Sequence, residues 1–178
     1  MKTVSLLMIL ALLGCKRSED DSDNRPVNTE HFDFEALTAG NRSIDIRVTA
    51  NNVGTDGLPT VAGLAFRLVF EDETLEYRSN ESTVGDFFLK GQLAAGFSDD
   101  DARSLVVGAG IPPISEADDS GETLTVMNLK LSSPTSLDGR TVAFRVEDFQ
   151  VFRRDPEGGY SVEIIDIYSF DREFDAVF

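Results

Sequence analysis

Residues 61–77, VAGLAFRLVFEDETLEY, set the period of this chain. Ala62, Leu64, Phe66, Leu68 and Phe70 fall at every second position, with Gly63, Ala65, Arg67, Val69 and Glu71 between them. On an extended strand this spacing gives one buried apolar face and one partly solvated face, whereas a helix would scatter the same five side chains around its axis. The stretch runs directly into an acidic turn, Glu71-Asp72-Glu73-Thr74, after which Leu75 and Tyr77 again share a face.

From residue 41 onward the rest of the chain repeats this pattern in shorter pieces, with little helical period and no long uninterrupted apolar run. Ile44, Ile46 and Val48 alternate with Asp45 and Arg47, and an Asn- and Gly-bearing loop follows at 51–57. Residues 84–89 are apolar and aromatic, Leu93, Ala95 and Phe97 alternate, and 104–109 is a dense short strand. Residues 110–122, with two prolines and two glycines, read as a loop. Met127, Leu129 and Leu131 share a face, as do Val142, Phe144 and Val146. Residues 149–154 and 160–165 flank Asp155-Pro156-Glu157-Gly158-Gly159 as a hairpin. About nine strands at this spacing predict an all-β chain, an antiparallel β-sandwich. His31-Phe32-Asp33-Phe34 alternates weakly, as a short edge strand or the end of a tether, and 166–178 has a poor pattern that could add a closing strand.

The first residues stand apart from this domain. Lys2, an apolar run at 4–13 and the ending Leu12-Leu13-Gly14-Cys15 form a targeting segment. The run is too short to cross a bilayer core of roughly 30 Å. Its ending resembles the lipobox of bacterial lipoproteins, in which cleavage precedes the cysteine and the cysteine is acylated. That resemblance implies a signal peptide at 1–14, a lipid attachment at Cys15, and membrane tethering, since more than one acyl chain anchors stably. A plain secretory peptide with a coincidental cysteine is the competing reading. Residues 16–29 are almost free of apolar side chains and rich in carboxylates, so 15–30 is expected to be a flexible acidic tether and 31–178 the folded domain. Ser18-Glu19-Asp20-Asp21 also resembles the acidic export signals of some surface lipoproteins, which places the expected address at the outer membrane of a cell envelope, facing outward.

Charge and composition narrow the chemistry. A formal net charge of −16 repels nucleic acid and anionic lipid. Cys15 is the sole cysteine, so no disulfide can staple the domain and its core must hold it. His31 is the sole histidine and lies at the domain margin, which leaves no ready Ser-His pair or histidine metal site. Phosphate loops, nucleophile elbows and Cys/His clusters are absent, so no cofactor and no catalytic residue is expected. Asp99-Asp100-Asp101 and Asp118-Asp119 sit in polar surroundings, with nothing apolar beside them to raise a carboxylate pKa. The 118–122 loop could take calcium, though a solvated acidic loop is the plainer reading.

At 63–77 the chain resembles the cohesin family, whose modules run an alternating strand into a Tyr-Asp-Pro-x-x-Leu-Glu turn. Phe70-Glu71-Asp72-Glu73-Thr74-Leu75-Glu76 keeps that spacing, with Asp72 where the family has proline. The resemblance continues in order through 44–50, Gly85-Asp86-Phe87-Phe88, 104–110, 121–131 and 146–165, and so covers most of 41–167. It implies a nine-stranded jelly roll that binds a protein partner and catalyses nothing. Cohesins take dockerins, small helical calcium-binding modules, on one sheet face. The corresponding candidate face here comprises Gly63, Ala65, Arg67 and Val69 with Gln92, Ala94, Ser104 and Val106. Many cohesins present Asn and Asp near the positions of Gly63 and Ala65, so the polar contacts typical of dockerin recognition are missing there.

A carbohydrate-binding module is the alternative, because related sandwiches bind polysaccharide. Sugar platforms want exposed Trp or Tyr. The chain has no tryptophan and three tyrosines, of which Tyr160, at the hairpin mouth, is the candidate.

Overall fold

The structure, a computed structural model, describes residues 32–51, 61–88, 91–97, 103–110, 123–154, 162–166 and 172–178; for 153–154, 162–166 and 172 the description is of the backbone. The targeting segment, Cys15, the tether, His31, Tyr160, the acidic runs at 99–101 and 118–119 and most of the 110–122 loop lie outside the described residues.

The described residues are all strand and turn. In chain order the strands are β1 (Phe32–Thr38), β2 (Ser43–Ala50), β3 (Val61–Phe70), β4 (Glu76–Tyr77), β5 (Thr83–Val84), β6 (Gln92–Phe97), β7 (Ser104–Gly110), β8 (Leu124–Ser132), β9 (Thr141–Arg154), β10 (Val162–Asp166) and β11 (Arg172–Val177). They form two sheets, one ordered β1-β2-β8-β4 with β5 also on β8, the other ordered β10-β9-β3-β7-β6 with β11 also on β9. Every pairing is antiparallel. The two sheets pack face to face as a jelly-roll sandwich. No helix among the described residues is long and apolar enough to cross a membrane.

The inward residues are those the alternation selects. Ile44, Ile46 and Val48 on β2, Leu64, Phe66, Leu68 and Phe70 on β3, and Met127, Leu129 and Leu131 on β8 are all buried. Three bulges shift the alternation where strict period two would carry a residue to the wrong side. On β3, Ala62 is the extra residue between the Val61↔Arg153 and Gly63↔Phe152 pairs, so Val61 is buried and Ala62 only half-buried. This corrects the expectation that Ala62 belongs to the buried set. On β8, Val126 is extra between the partners of Val48 and Thr49, and both Val126 and Met127 point into the core.

The third bulge lies on β9. Phe66 opposes two residues, Asp148 and Phe149, between the Ala65↔Gln150 and Arg67↔Glu147 pairs. Asp148 takes a left-handed backbone with φ 51°, a conformation that Asp tolerates better than most residues with a β-carbon. The shift lets Val146 and Phe149 both face inward, which joins what the sequence reads as two strands into one of 14 residues.

The core is an aromatic spine. Phe87 meets Phe88 at 4.8 Å and Phe32 at 6.5 Å; Phe32 meets Phe149 at 5.4 Å. Phe34 then bridges Phe66 at 5.2 Å, Phe149 at 5.9 Å and Phe174 at 6.2 Å. Phe174 stacks on Phe144 at 5.4 Å, and Phe144 leads through Phe70 to Phe97. Each buried ring contributes roughly 2–3 kcal/mol of transfer free energy, and the edge-to-face contacts add to it. The spine explains the strands that alternation marks weakly. Phe32 and Phe34 make β1 a core strand, and Phe174 with Ala176 pins β11 against β9 and β1.

Two local devices close the ends. Gly85 crosses β8 so closely that a β-carbon there would lie 2.2 Å from the Thr125 carbonyl oxygen. That approach lets the Gly85 and Phe87 amides donate to Val126 and Thr125 across the bulge. At the acidic turn, Asp72 does with its side chain what proline does with its ring. Its Oδ1 accepts from the Thr74 amide at 2.9 Å and the Thr74 hydroxyl at 2.7 Å, and the Leu75 amide bonds its carbonyl. Its other oxygen meets the Arg140 guanidinium at 2.7 Å, and the turn drops Leu75 into the core.

Candidate functional site

The outward side of the six-stranded sheet follows from the same registers that set the core. Pairing places Gln92, Gly110, Gly63 and Phe152 in one row across β6, β7, β3 and β9. The next row is Ala94, Gly108, Ala65 and Gln150, and the third is Gly96, Val106, Arg67 and Glu147. Six positions of these rows, spread over three adjacent strands, carry no side chain larger than a methyl group. With strands about 4.8 Å apart, the shelf they form is about 10 Å wide. Exposed Gln92 and half-buried Phe152 stand at one end, and Val106, 44% exposed, and Arg67 stand at the other.

The small residues do not all serve one purpose. A β-carbon on Gly63 would lie 2.9 Å from the Ala109 carbonyl oxygen, and one on Gly110 would lie 3.0 Å from that of Ala62. These glycines are required by the close crossing of β3 and β7 at the Ala62 bulge. Gly96, by contrast, has nothing among the described residues within 4 Å of such an atom, and the nearest of their atoms to one on Gly108 is at 3.8 Å. Packing leaves room there that the described residues do not fill.

Arg67 is held rather than free. Its Nε donates to Asp148 Oδ2 at 3.1 Å, its terminal nitrogen bonds the same oxygen, and Glu147 Oε2 lies 3.8 Å away. Arg145 pairs with Glu147 in turn. The bulge that turns Phe149 inward is what brings Asp148 beside Arg67. Arg67 so held still has 42% of its side chain exposed.

Of the eight face residues expected from sequence, six keep surface on the outward side: Ala65, Arg67, Val69, Gln92, Ala94 and Val106. Two do not. Gly63 is buried, with the Phe152 ring 3.7 Å from where its β-carbon would stand, so the surface there belongs to Phe152. Ser104 is 1% exposed, at the end of the face next to the Phe97↔Leu105 pair, and its hydroxyl has no hydrogen-bond partner among the described residues. Phe152, Gln150, Gly108 and Gly110 share the face without having been expected on it, and Gly96 closes the 92–96 stretch along which part of the face was expected. The alternation of β6 and β7 carries a signal for Gly96, Gly108 and Gly110; Phe152 and Gln150 need the Asp148 bulge before their side is known. Cys15 and Tyr160, the lipid-attachment and sugar-stacking candidates, lie outside the described residues. Among the described residues, no group of three or more His, Cys, Asp or Glu side chains could hold a metal ion.

No protein-family model matches the chain, and no curated protein matches it. Among solved structures it is similar to the cohesin module of a family 33 glycoside hydrolase from Clostridium perfringens, with a TM-score of 0.53 at 8% identity over 80% of this chain and 93% of that one. A type II cohesin domain from the cellulosome of Acetivibrio cellulolyticus gives a TM-score of 0.45 at 14% identity, covering 76% of this chain and 95% of that one. A type II cohesin-X-dockerin complex from the same organism gives 0.46 at 12% identity, covering 68% and 84%. The first likeness shows a cohesin-like fold; the other two score too low to add to it.

Proposed function

We propose that this chain is a non-catalytic binding module, tethered to a bacterial envelope through Cys15, that receives a protein partner on the outward shelf of its six-stranded sheet. The observation that carries this reading is the unfilled floor at Gly96 and Gly108, bordered by exposed Val106 and half-buried Phe152. Small residues there cost strand propensity and gain no packing, which is the pattern of a surface kept flat for something to lie on. A width of about 10 Å matches the diameter of an α-helix with its side chains. A helical partner is therefore the best fit, and the likeness to a cohesin module supports the same class. Asn and Asp are absent from positions 63 and 65, so recognition would rest on shape and on Val106, Phe152 and Arg67 rather than on the polar contacts of dockerin-binding cohesins.

The test is affinity capture from the envelope and secreted fractions of the producing cell, using the full chain and its Val106→Glu and Arg67→Glu variants. The expected result is a helical protein recovered by the parent chain and lost with Val106→Glu. Recovery of a glycan instead, abolished by Tyr160→Ala, would replace this reading with the carbohydrate one. A protein recovered equally by parent and both variants would remove the shelf from the proposal. For the tether, metabolic labelling with a fatty acid is expected to mark the chain, and Cys15→Ser to abolish the label.

A further inference from the structure

Sheet edges are the places where a folded chain must prevent unwanted pairing, and among the described strands this sandwich defends all but one of them. β1 carries Asp33 and Glu35, and it packs beside β11, which carries Arg172, Glu173 and Asp175. β10 carries Glu163 and Asp166. β4 and β5 are two residues each, too short to template a strand. β6 is different in every respect. It is six residues long, QLAAGF, without a charge or a proline, and it pairs with β7 in unbroken register. It ends the six-stranded sheet, and no described residue pairs with its outer edge.

An uncharged, unbulged edge of this length offers alternate N–H and C=O groups to any extended segment laid beside it. Charge selects among the segments that could come. A second copy would bring another −16 against the first, whereas a cationic segment is drawn in by the same field. We propose that the outer edge of β6 accepts an extended, basic segment of a partner protein by antiparallel or parallel strand addition. Main-chain hydrogen bonds hold the added strand, and its alternate side chains extend the outward shelf by one more strand. This contact stands on the sheet edge and not on the outward face, so a failed capture experiment with Val106→Glu leaves it standing.

The probe is the capped peptide Lys-Val-Thr-Val-Lys-Val-Thr-Val-Lys, offered to the isotopically labelled full chain. Exchange of alternate β6 amides is expected to slow by about tenfold or more at saturation. A counterpart of the same sequence with every internal amide N-methylated is expected to bind about a hundredfold more weakly, because it keeps the charge and loses the donors. A counterpart with Glu for Lys is expected to be weaker than the parent peptide. Equal binding of the N-methylated peptide would overturn strand addition in favour of simple charge attraction. Equal binding of the Glu peptide would overturn the charge selection. Protection confined to another edge, or none in β6 at about 1 mM peptide, would overturn the site. Sedimentation of the chain alone as a dimer with β6 already protected would show that a second copy, not a basic partner, takes the edge.

Discussion

On the outward side of the five-stranded sheet stand Glu35, Asp45, Arg47, Asn128 and Lys130; on that of the six-stranded sheet the matching rows hold Gly63, Ala65, Ala94, Gly96, Gly108 and Gly110. The first set pairs with itself. Lys130 meets Asp45 at 2.8 Å, Arg47 lies 3.9 Å from Glu35, and Arg78 meets Glu76 at 2.8 Å near the edge. The second set has almost nothing with which to pair, and its charges are gathered to one side on Arg67, Arg145, Glu147 and Asp148. Both faces are held by equally apolar interiors, so the difference is not required by the core. One face satisfies its own polar groups and meets water. The other is left low and flat, and it is the face on which a partner is proposed to lie.

Part of that flatness is forced, and substitutions that separate the forced part have the largest expected effects. Gly85→Ala drives a methyl group against the Thr125 carbonyl at 2.2 Å, where backbone must move, and is expected to cost about 3 kcal/mol. Gly63→Val and Gly110→Val meet carbonyl oxygens at 2.9 and 3.0 Å and are expected to cost about 2 kcal/mol each. Urea midpoints read all three. If Gly63→Val or Gly110→Val unfolds no more easily than the parent, the close crossing of β3 and β7 is not what keeps those positions small, and the two faces differ for another reason.

Ion pairs give the next contrast, because the same chemistry occurs in two settings. Asp72 keeps only 5% of its side chain exposed and meets Arg140, which is itself 47% exposed. Removing the cation strands a buried carboxylate. Arg140→Ala is therefore expected to cost about 2 kcal/mol, below the value for a fully buried pair because water reaches the guanidinium side. Asp45 and Lys130 are more open, at 38% and 18%, and the coupling from their double-mutant cycle is expected at about 0.5 kcal/mol. A larger coupling for Asp45–Lys130 than for Asp72–Arg140 would mean that the five-stranded face is stabilised by its charges and is not merely solvated by them.

How far these contrasts can be read from sequence depends on whether a residue's surroundings are local. Strict alternation marks β2, β3 and β8, because each places its apolar set on one side over most of its length. It also marks Arg67 as outward. It does not reveal that Arg67 is tied to Asp148, 81 positions away, since that contact depends on a bulge formed only when β9 pairs with β3. Ala62 and Val61 exchange places for the same reason. Phe32, Phe34 and Phe174 lie in segments too short and too charged to show a period, and they are fixed by ring contacts with distant phenylalanines. Ser104 has the parity of an outward residue and is buried all the same, so alternation gives its side of the sheet and not its exposure. The cohesin-like order of turns and strands was legible because turn chemistry is local. Which small residues are forced and which are free was not, because that depends on the crossing strand.

The smallest expected change in stability is therefore the one that tests the comparison most closely. Gly96 lies in the same row as Val106 and Arg67, and a β-carbon there would meet no atom of the described residues within 4 Å. Its backbone lies outside the left-handed region, so a larger side chain adds no strain and reduces the freedom of the unfolded chain. Gly96→Ala and Gly96→Phe are each expected to shift stability by no more than about 0.5 kcal/mol, with alanine on the favourable side. Glycine at this position then has no structural return, and its value must lie outside the folded chain. Gly96→Phe raises a ring on the floor of the shelf, so it is expected to abolish partner capture while the urea midpoint stays at the parent value. If capture survives the ring, the open part of the shelf is not the contact surface, and the flatness of the six-stranded face reduces to the crowding at Gly63 and Gly110.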